Sequence, residues 1–130
     1  MAKIIKLNDG VQILNDESFK EKIFNYDESD TFKYEGDFPC VIDFYAEWCG
    51  PCKVLDRTLN ELVDEYDNIK FYKIDIEKSI KTSVAFGVRS VPTLLFIPTN
   101  GKPTSQMGAP SKTEMKYYID GLLIKSGDNK

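Results

Sequence analysis

Two cysteines, Cys49 and Cys52, stand three positions apart in the segment 46–53, AEWCGPCK. At that spacing two thiols can close into a disulfide and open again, which is two-electron chemistry by thiol–disulfide exchange. Composition removes the other uses of a nucleophilic cysteine. The chain has no histidine, so neither Ser-His-Asp nor Cys-His catalysis is available, and zinc sites built from Cys and His lack their usual donors. The third cysteine, Cys40, would bring a metal to three sulfurs with no fourth soft ligand in sight. No metal site is expected, and a cluster shared between two chains is the one form left open. Three cysteines in 130 residues are also too few for a structural disulfide framework.

Exchange needs an asymmetric pair. A buried strand ends just before Cys49 and a helix begins at Pro51, so Cys49 is expected at a helix N-terminus, where free N–H groups and the helix dipole favour an anion and lower the thiol pKa. Cys49 is then the nucleophile. Cys52, one turn further in, is expected to be more buried and to resolve the reaction. The Cys49 thiolate attacks a substrate disulfide to form a mixed disulfide, and Cys52 then attacks Cys49, releasing the reduced substrate and leaving a Cys49–Cys52 bond. Gly50 allows a partner's backbone to approach, and Pro51 stiffens the turn. A base for the Cys52 proton is found in the apolar run CVIDFYA, whose one carboxylate is Asp43. Desolvation raises its pKa toward neutrality, and such a carboxylate can accept the proton directly or through a water. The structural alternative is a carboxylate tied to nearby backbone. Strand alternation groups Asp43 with Val41 and Tyr45, and Lys73 with Phe71 and Asp75. If the two strands are neighbours, Lys73 can approach Asp43; otherwise its stem covers apolar surface and its head is solvated.

The elements that must position these residues follow from periodicity. Residues 3–14, KIIKLNDGVQIL, read as two short strands about the Asp9-Gly10 turn, or as one strand at Val11 to Leu14 behind a loose leader. From Asp16, the residues Phe19, Ile23 and Phe24 have helical spacing, giving a helix that ends near Tyr26. Residues 27–39 are acidic, contain Gly36 and Pro39 and show no sustained period, which predicts an extra surface loop. The run at 40–46 predicts a strand covered on both faces. After Pro51, the residues Val54, Leu55, Leu59, Leu62, Val63 and Tyr66 trace one helical stripe. IKFYKIDI is a strand, a short helix follows from Ser79 to Phe86 with Gly87 as its cap, and TLLFI after Pro92 is a buried strand. Asn100-Gly101 turns a hairpin into Thr104 to Met107. Ser111 and Glu114 have capping-box spacing ahead of Met115, Tyr118, Ile119, Leu122 and Leu123. The order β-α-β-α-β-α-β-β-α predicts an α/β fold with a mixed sheet and helices on both faces. A single domain over 1–130 is expected, with an N-terminal strand or leader at 1–14 and a disordered tail at 126–130.

The strand, WCGPCK, the helix and the later SVPT occur in this order in thioredoxins, and the chain resembles that family from about Val11 to Ile124. Thioredoxin is itself the reference instance of a C-x-x-C beside a βαβ pattern, so this is an assignment by likeness. The resemblance implies the thioredoxin fold, protein-disulfide reductase activity, and Asp43 as proton acceptor for Cys52 with Lys73 near it. It also implies a cis Val91–Pro92 bond facing the cysteines, with the Val91 backbone open to a bound peptide. Trp48 would rim a substrate groove, with Gly50, Pro51, Ile76, Val91, Pro92, Gly108 and Ala109 at the matching positions. Such a groove suits extended segments of many proteins, because main-chain hydrogen bonds carry little side-chain preference. Three features depart from the usual family pattern. Tyr45 stands where many members have a second tryptophan, loop 27–39 is longer than needed, and Cys40 is an additional thiol. Cys40 is expected as a small buried hydrophobe; a regulatory thiol would need exposure and a lowered pKa.

No Gly-rich dinucleotide fingerprint is present, so no cofactor is expected on this chain, and electrons would arrive by contact with a separate NADPH-dependent thioredoxin reductase, a flavoprotein. Two rivals share the fold. One is a disulfide oxidant or isomerase, whose direction follows from how strongly the site stabilises the reduced thiolate; the other is a non-catalytic peptide-binding module. Gly50-Pro51 resembles the reducing members, and the intact cysteines with Asp43 argue against a passive module. A net charge of −4, with lysines scattered among acidic residues, offers no stripe for nucleic acid, and no apolar run approaches the ~20 residues that cross a bilayer. The start, MAKIIKLNDG, lacks the features of a secretory signal. A cytoplasmic monomer without nucleic-acid or membrane partners is expected, or a periplasmic or secreted one if a native signal peptide has been lost.

Overall fold

The computed structural model describes residues 10–124; residues 1–9 of the expected strand or leader at 1–14, and the expected tail at 126–130, lie outside them. Five strands and four helices follow in the order expected: β1 Gln12–Leu14, α1 Asp16–Lys22, β2 Cys40–Tyr45, α2 Gly50–Val63, β3 Lys70–Asp75, α3 Ile80–Ala85, β4 Thr93–Ile97, β5 Thr104–Met107 and α4 Lys112–Ile119. Among the described residues the strands form one sheet in the order β1-β3-β2-β4-β5. The pairs β1/β3 and β2/β3 are parallel, and β2/β4 and β4/β5 antiparallel. This is the mixed sheet that the sequence predicts. β2 lies at its centre, buried on both faces from Cys40 to Phe44.

Alternation along β2 divides the core. Val41 faces a cluster with Leu55, Leu59 and Leu62 of α2 and Met115 and Ile119 of α4. Cys40, Ile42 and Phe44 face the other side, against Phe19, Ile23 and Phe24. Leu55, Leu59 and Leu62 are wholly buried, and each contributes on the order of 1.5–3 kcal/mol by leaving water. These three hold α2 against the sheet and so aim its N-terminus. Val54 is instead 52 % exposed, because it precedes the stripe by one residue and so points about 100° away. Tyr66 lies beyond the end of α2 and joins the core from the following turn, its hydroxyl donating to Asp120 Oδ1 at 2.9 Å.

Helix α1 stops at Lys22, short of Tyr26. The consecutive residues Ile23 and Phe24 are both buried in one cluster, and the chain leaves the helix there to turn both side chains inward. Asn15 and Ser18 close a capping box at its start. The predicted box of Ser111 and Glu114 forms at the start of α4, with both hydrogen bonds made. A π turn over Asp120–Ile124 then extends α4 and keeps Leu123 buried beyond Ile119.

Residues 27–39 form neither helix nor strand, yet they have a period the sequence reading did not find. Phe32, Tyr34, Gly36 and Phe38 are half-buried, while Lys33, Glu35 and Asp37 are exposed. One of the four inward positions is a glycine, which hides the alternation from any apolar count. Phe32 packs on Phe24, and the Glu35 N–H donates to the Ile23 carbonyl at 2.8 Å, so the segment lies as a strap along the end of α1.

Candidate active site

Cys49 is the residue that caps α2. Its backbone is extended, and its Sγ accepts the Cys52 N–H at 3.2 Å. A sulfur so placed receives an otherwise unpaired helix N–H and the positive end of the dipole, which stabilise a negative charge on it. Cys49 and Cys52 are joined in a disulfide, with Cα atoms 5.2 Å apart. The two are equally buried, 4 % and 3 % exposed, so the expected difference in burial is not present in this oxidised form. The asymmetry lies in their surroundings. Trp48, Gly50 and Pro51 beside Cys49 are exposed, Trp48 by 66 %, whereas Cys52 opens inward onto a cleft of about 440 Å³.

That cleft is lined also by Asp43, Tyr45, Lys53, Asp56 and Lys73. Asp43 is 1 % exposed, and its Oδ1 has no hydrogen-bond partner among the described residues, so it is not the backbone-tied carboxylate of the alternative reading. Burial first, and then the charge of Asp56, raise its pKa from 3.8 to about 7, while Lys73 pulls it down. Strand register sets Asp43 directly opposite Lys73; alternation puts the two on the faces that make this approach possible, and the register is what the structure adds. The ammonium goes elsewhere. Lys73 Nζ lies 3.0 Å from Asp56 Oδ1 and 5.3 Å from the centre of the Tyr45 ring. Sequence reasoning missed Asp56, although it stands four residues after Cys52 on the same helix, a spacing that puts both on one face.

Of the expected groove residues, Ile76 and Val91 reach the disulfide cluster. Tyr45, Ile76 and Val91 pack against Ala46, Cys49 and Cys52. Ile76 is fixed by its N–H to the Tyr45 carbonyl at 2.9 Å and by the Asp75 carboxylate, which accepts the N–H of Glu77 at 2.8 Å. The Val91–Pro92 bond is cis, and Pro92 is buried just ahead of β4. Its carbonyl accepts the Gly108 N–H at 2.9 Å. Gly108 has φ +95°, a conformation that side chains disfavour, and with the exposed Ala109 it brings the end of β5 beside Pro92. A Cβ on Gly50 would meet nothing within 4 Å. Its smallness serves no internal packing and leaves the surface beside Cys49 open to an approaching chain.

The thioredoxin family model matches residues 10–121. The chain belongs to the thioredoxin family. A thioredoxin of Borreliella burgdorferi is 47 % identical over 96 residues, covering 73 % of this chain and 82 % of that protein. One of Haemophilus influenzae is 35 % identical over 108 residues, 82 % of this chain and 92 % of that one. The crystal structure of chloroplastic thioredoxin z has a TM-score of 0.72 to this one, covering 92 % of this chain and 96 % of that chain at 24 % identity, which speaks for the fold alone. The protein is a thiol–disulfide oxidoreductase, a protein-disulfide reductase of the thioredoxin type, with protein disulfides as substrates and a thioredoxin reductase as partner.

Within that family the departures acquire physical roles. Tyr45 offers its ring face to the Lys73 ammonium, a favourable cation–π contact. Cys40 is wholly buried, and burial pushes its thiol up to about 12, with the Tyr34 hydroxyl acting in the opposite sense. The strap of residues 27–39 supplies that tyrosine, whose hydroxyl also donates to the Phe38 carbonyl. Cys40 is thus a packed side chain with almost no thiolate at neutral pH.

Proposed function

We propose that Cys49 is the nucleophile of this reductase, Cys52 the resolving thiol and Asp43 the group that exchanges the Cys52 proton. The observation that carries this reading is the Cys49–Cys52 pair at the N-terminus of α2, opening inward onto a cleft that holds a buried carboxylate with an unpartnered oxygen. In the reduced protein the Cys49 thiolate attacks a substrate disulfide, forming one S–S bond and releasing one substrate thiolate. The Cys52 thiol passes its proton to ionised Asp43, and its sulfur attacks Cys49. The mixed disulfide breaks, the second substrate thiolate leaves, and the Cys49–Cys52 bond carries the two electrons' loss. Reduction by the partner enzyme runs in reverse, with protonated Asp43 returning the proton to Cys52.

The exposed Trp48, Gly50, Pro51, Gly108 and Ala109, with the less exposed Ile76, Val91 and Pro92, form the proposed substrate groove, in which an extended segment pairs with the Val91 backbone. The electrons come from an NADPH-dependent thioredoxin reductase, and the protein acts as a cytoplasmic monomer. The site makes its own chemistry from two sulfurs and one carboxylate, which supports an external electron source. Cys52→Ser is expected to accumulate a mixed disulfide with a protein substrate through Cys49, read by intact mass, and Cys49→Ser to form none. A reduction potential at or below the glutathione poise of the cytosol, roughly −220 mV or lower, supports the reducing direction. A far higher potential, or adducts at Cys52 alone, refutes the assignment.

A further inference from the structure

We propose that Asp56 is a positioning residue: it holds the Lys73 ammonium away from Asp43 and so sets the protonation state in which Asp43 meets Cys52. The inference rests on the proton-exchange role proposed for Asp43. Register alone pairs Lys73 with Asp43, and both side chains reach the same cleft. The cation is nevertheless drawn across that cleft to Asp56 at 3.0 Å and over the Tyr45 ring, while Asp43 Oδ1 has no partner. Asp56 is on the outer wall, its side chain 36 % exposed, so water sustains its charge where the Asp43 site cannot. The charged and titratable groups facing Asp43 are then Lys73 from β3, Asp56, Lys53 and Cys52 from α2, and Tyr45 and Glu47 at the end of β2; β4 presents the apolar Leu94 opposite it.

The consequence is chemical. A carboxylate paired to an adjacent ammonium is held ionised; it could take the Cys52 proton but would return it poorly. Burial first, and then the Asp56 charge, raise Asp43 to about 7 against the remaining pull of Lys73; with the ammonium held at Asp56 that pull is too weak to keep the carboxyl ionised, and it can serve both directions of exchange. Asp56 pairs with Lys73 and accepts from Asn60, so its effect passes through Lys73 and through the field in the cleft.

The test is the carboxyl titration of Asp43 in the oxidised protein, followed by its ¹³C resonance. In Asp56→Asn the midpoint is expected to fall by ~1 pH unit or more, as for a carboxylate that gains a cation and loses a nearby anion. In Asp56→Asn with Lys73→Met it is expected to rise again above that of Asp56→Asn alone. The pH profile of mixed-disulfide resolution should move to lower pH in Asp56→Asn by the same amount as the titration. An unchanged midpoint in Asp56→Asn overturns the proposal, and so does a double variant that titrates like the single one. Asp43→Asn separates the two readings: resolution at an undiminished rate refutes the role of Asp43 in proton exchange, whatever Asp56 does to its titration.

Discussion

Replacing Asp43 by Asn should make the oxidised protein more stable, increasingly so as the pH rises. The folded protein raises this carboxyl from 3.8 to about 7, so between those limits the folded state binds a proton that the unfolded chain has released. A group raised in this way contributes fully below the unfolded value, loses its contribution as pH climbs, and is at its maximal cost above the folded value. At ~1.4 kcal/mol for each pH unit of difference, the full cost is on the order of 4 kcal/mol. Asn carries no titration, and its other effects on packing do not vary with pH. The stability difference between the two proteins should therefore widen by roughly 2–3 kcal/mol between about pH 5 and pH 9. Urea unfolding of the oxidised forms, followed by far-UV circular dichroism so that the redox state of the Trp48 neighbourhood does not intrude, would show the midpoints separating by ~1–2 M over that range. Parallel curves, with the same gap at every pH, would mean that Asp43 titrates alike in both states, and the argument from burial would fall.

Leu59→Ala removes a wholly buried side chain between α2 and the sheet and should cost ~2–5 kcal/mol in the same urea experiment; a loss below ~1 kcal/mol would mean that the two layers close over the gap. Cys40 should resist iodoacetamide in the folded, reduced protein, since at about pH 8 a thiol at about 12 is ionised only to roughly one part in 10⁴. Tyr34→Ala, which opens the strap over it, should raise its alkylation at least several-fold by mass, and no change would show that the strap does not seal this thiol. Ser111→Ala should lower stability by ~1 kcal/mol through loss of the α4 cap, and a neutral result would indicate that packing of Met115 and Ile119 alone sets the helix start.

Much of the site was legible because its grammar is local. The spacing of Cys49 and Cys52, the proline at the helix start, and a carboxylate inside an apolar strand are relations within a few residues, and the chain has to express them wherever it folds. The π turn after Ile119 and the early end of α1 were not legible. Both answer to which side chains the opposing layer has room to bury, and Ile23 with Phe24 shows this most directly. The strap of residues 27–39 was legible in principle, through its two-residue alternation, but Gly36 at an inward position erased the signal.

From the sequence alone come the redox pair, the order of elements, the acid in the strand and the possibility that Lys73 approaches Asp43 if β2 and β3 are neighbours; the register that sets them opposite each other comes from the fold. Where the Lys73 ammonium finally rests is a different kind of question. Its long stem reaches several sites, and the choice among them depends on the separation of α2 from the sheet, which Leu55, Leu59 and Leu62 set by packing. Only the folded chain brings Asp56 within 3.0 Å of that ammonium and leaves Asp43 buried with an unpartnered oxygen. Partner choice across layers is a matter of tertiary distance, and the electrostatic energy of a buried group such as Asp43 varies steeply with it.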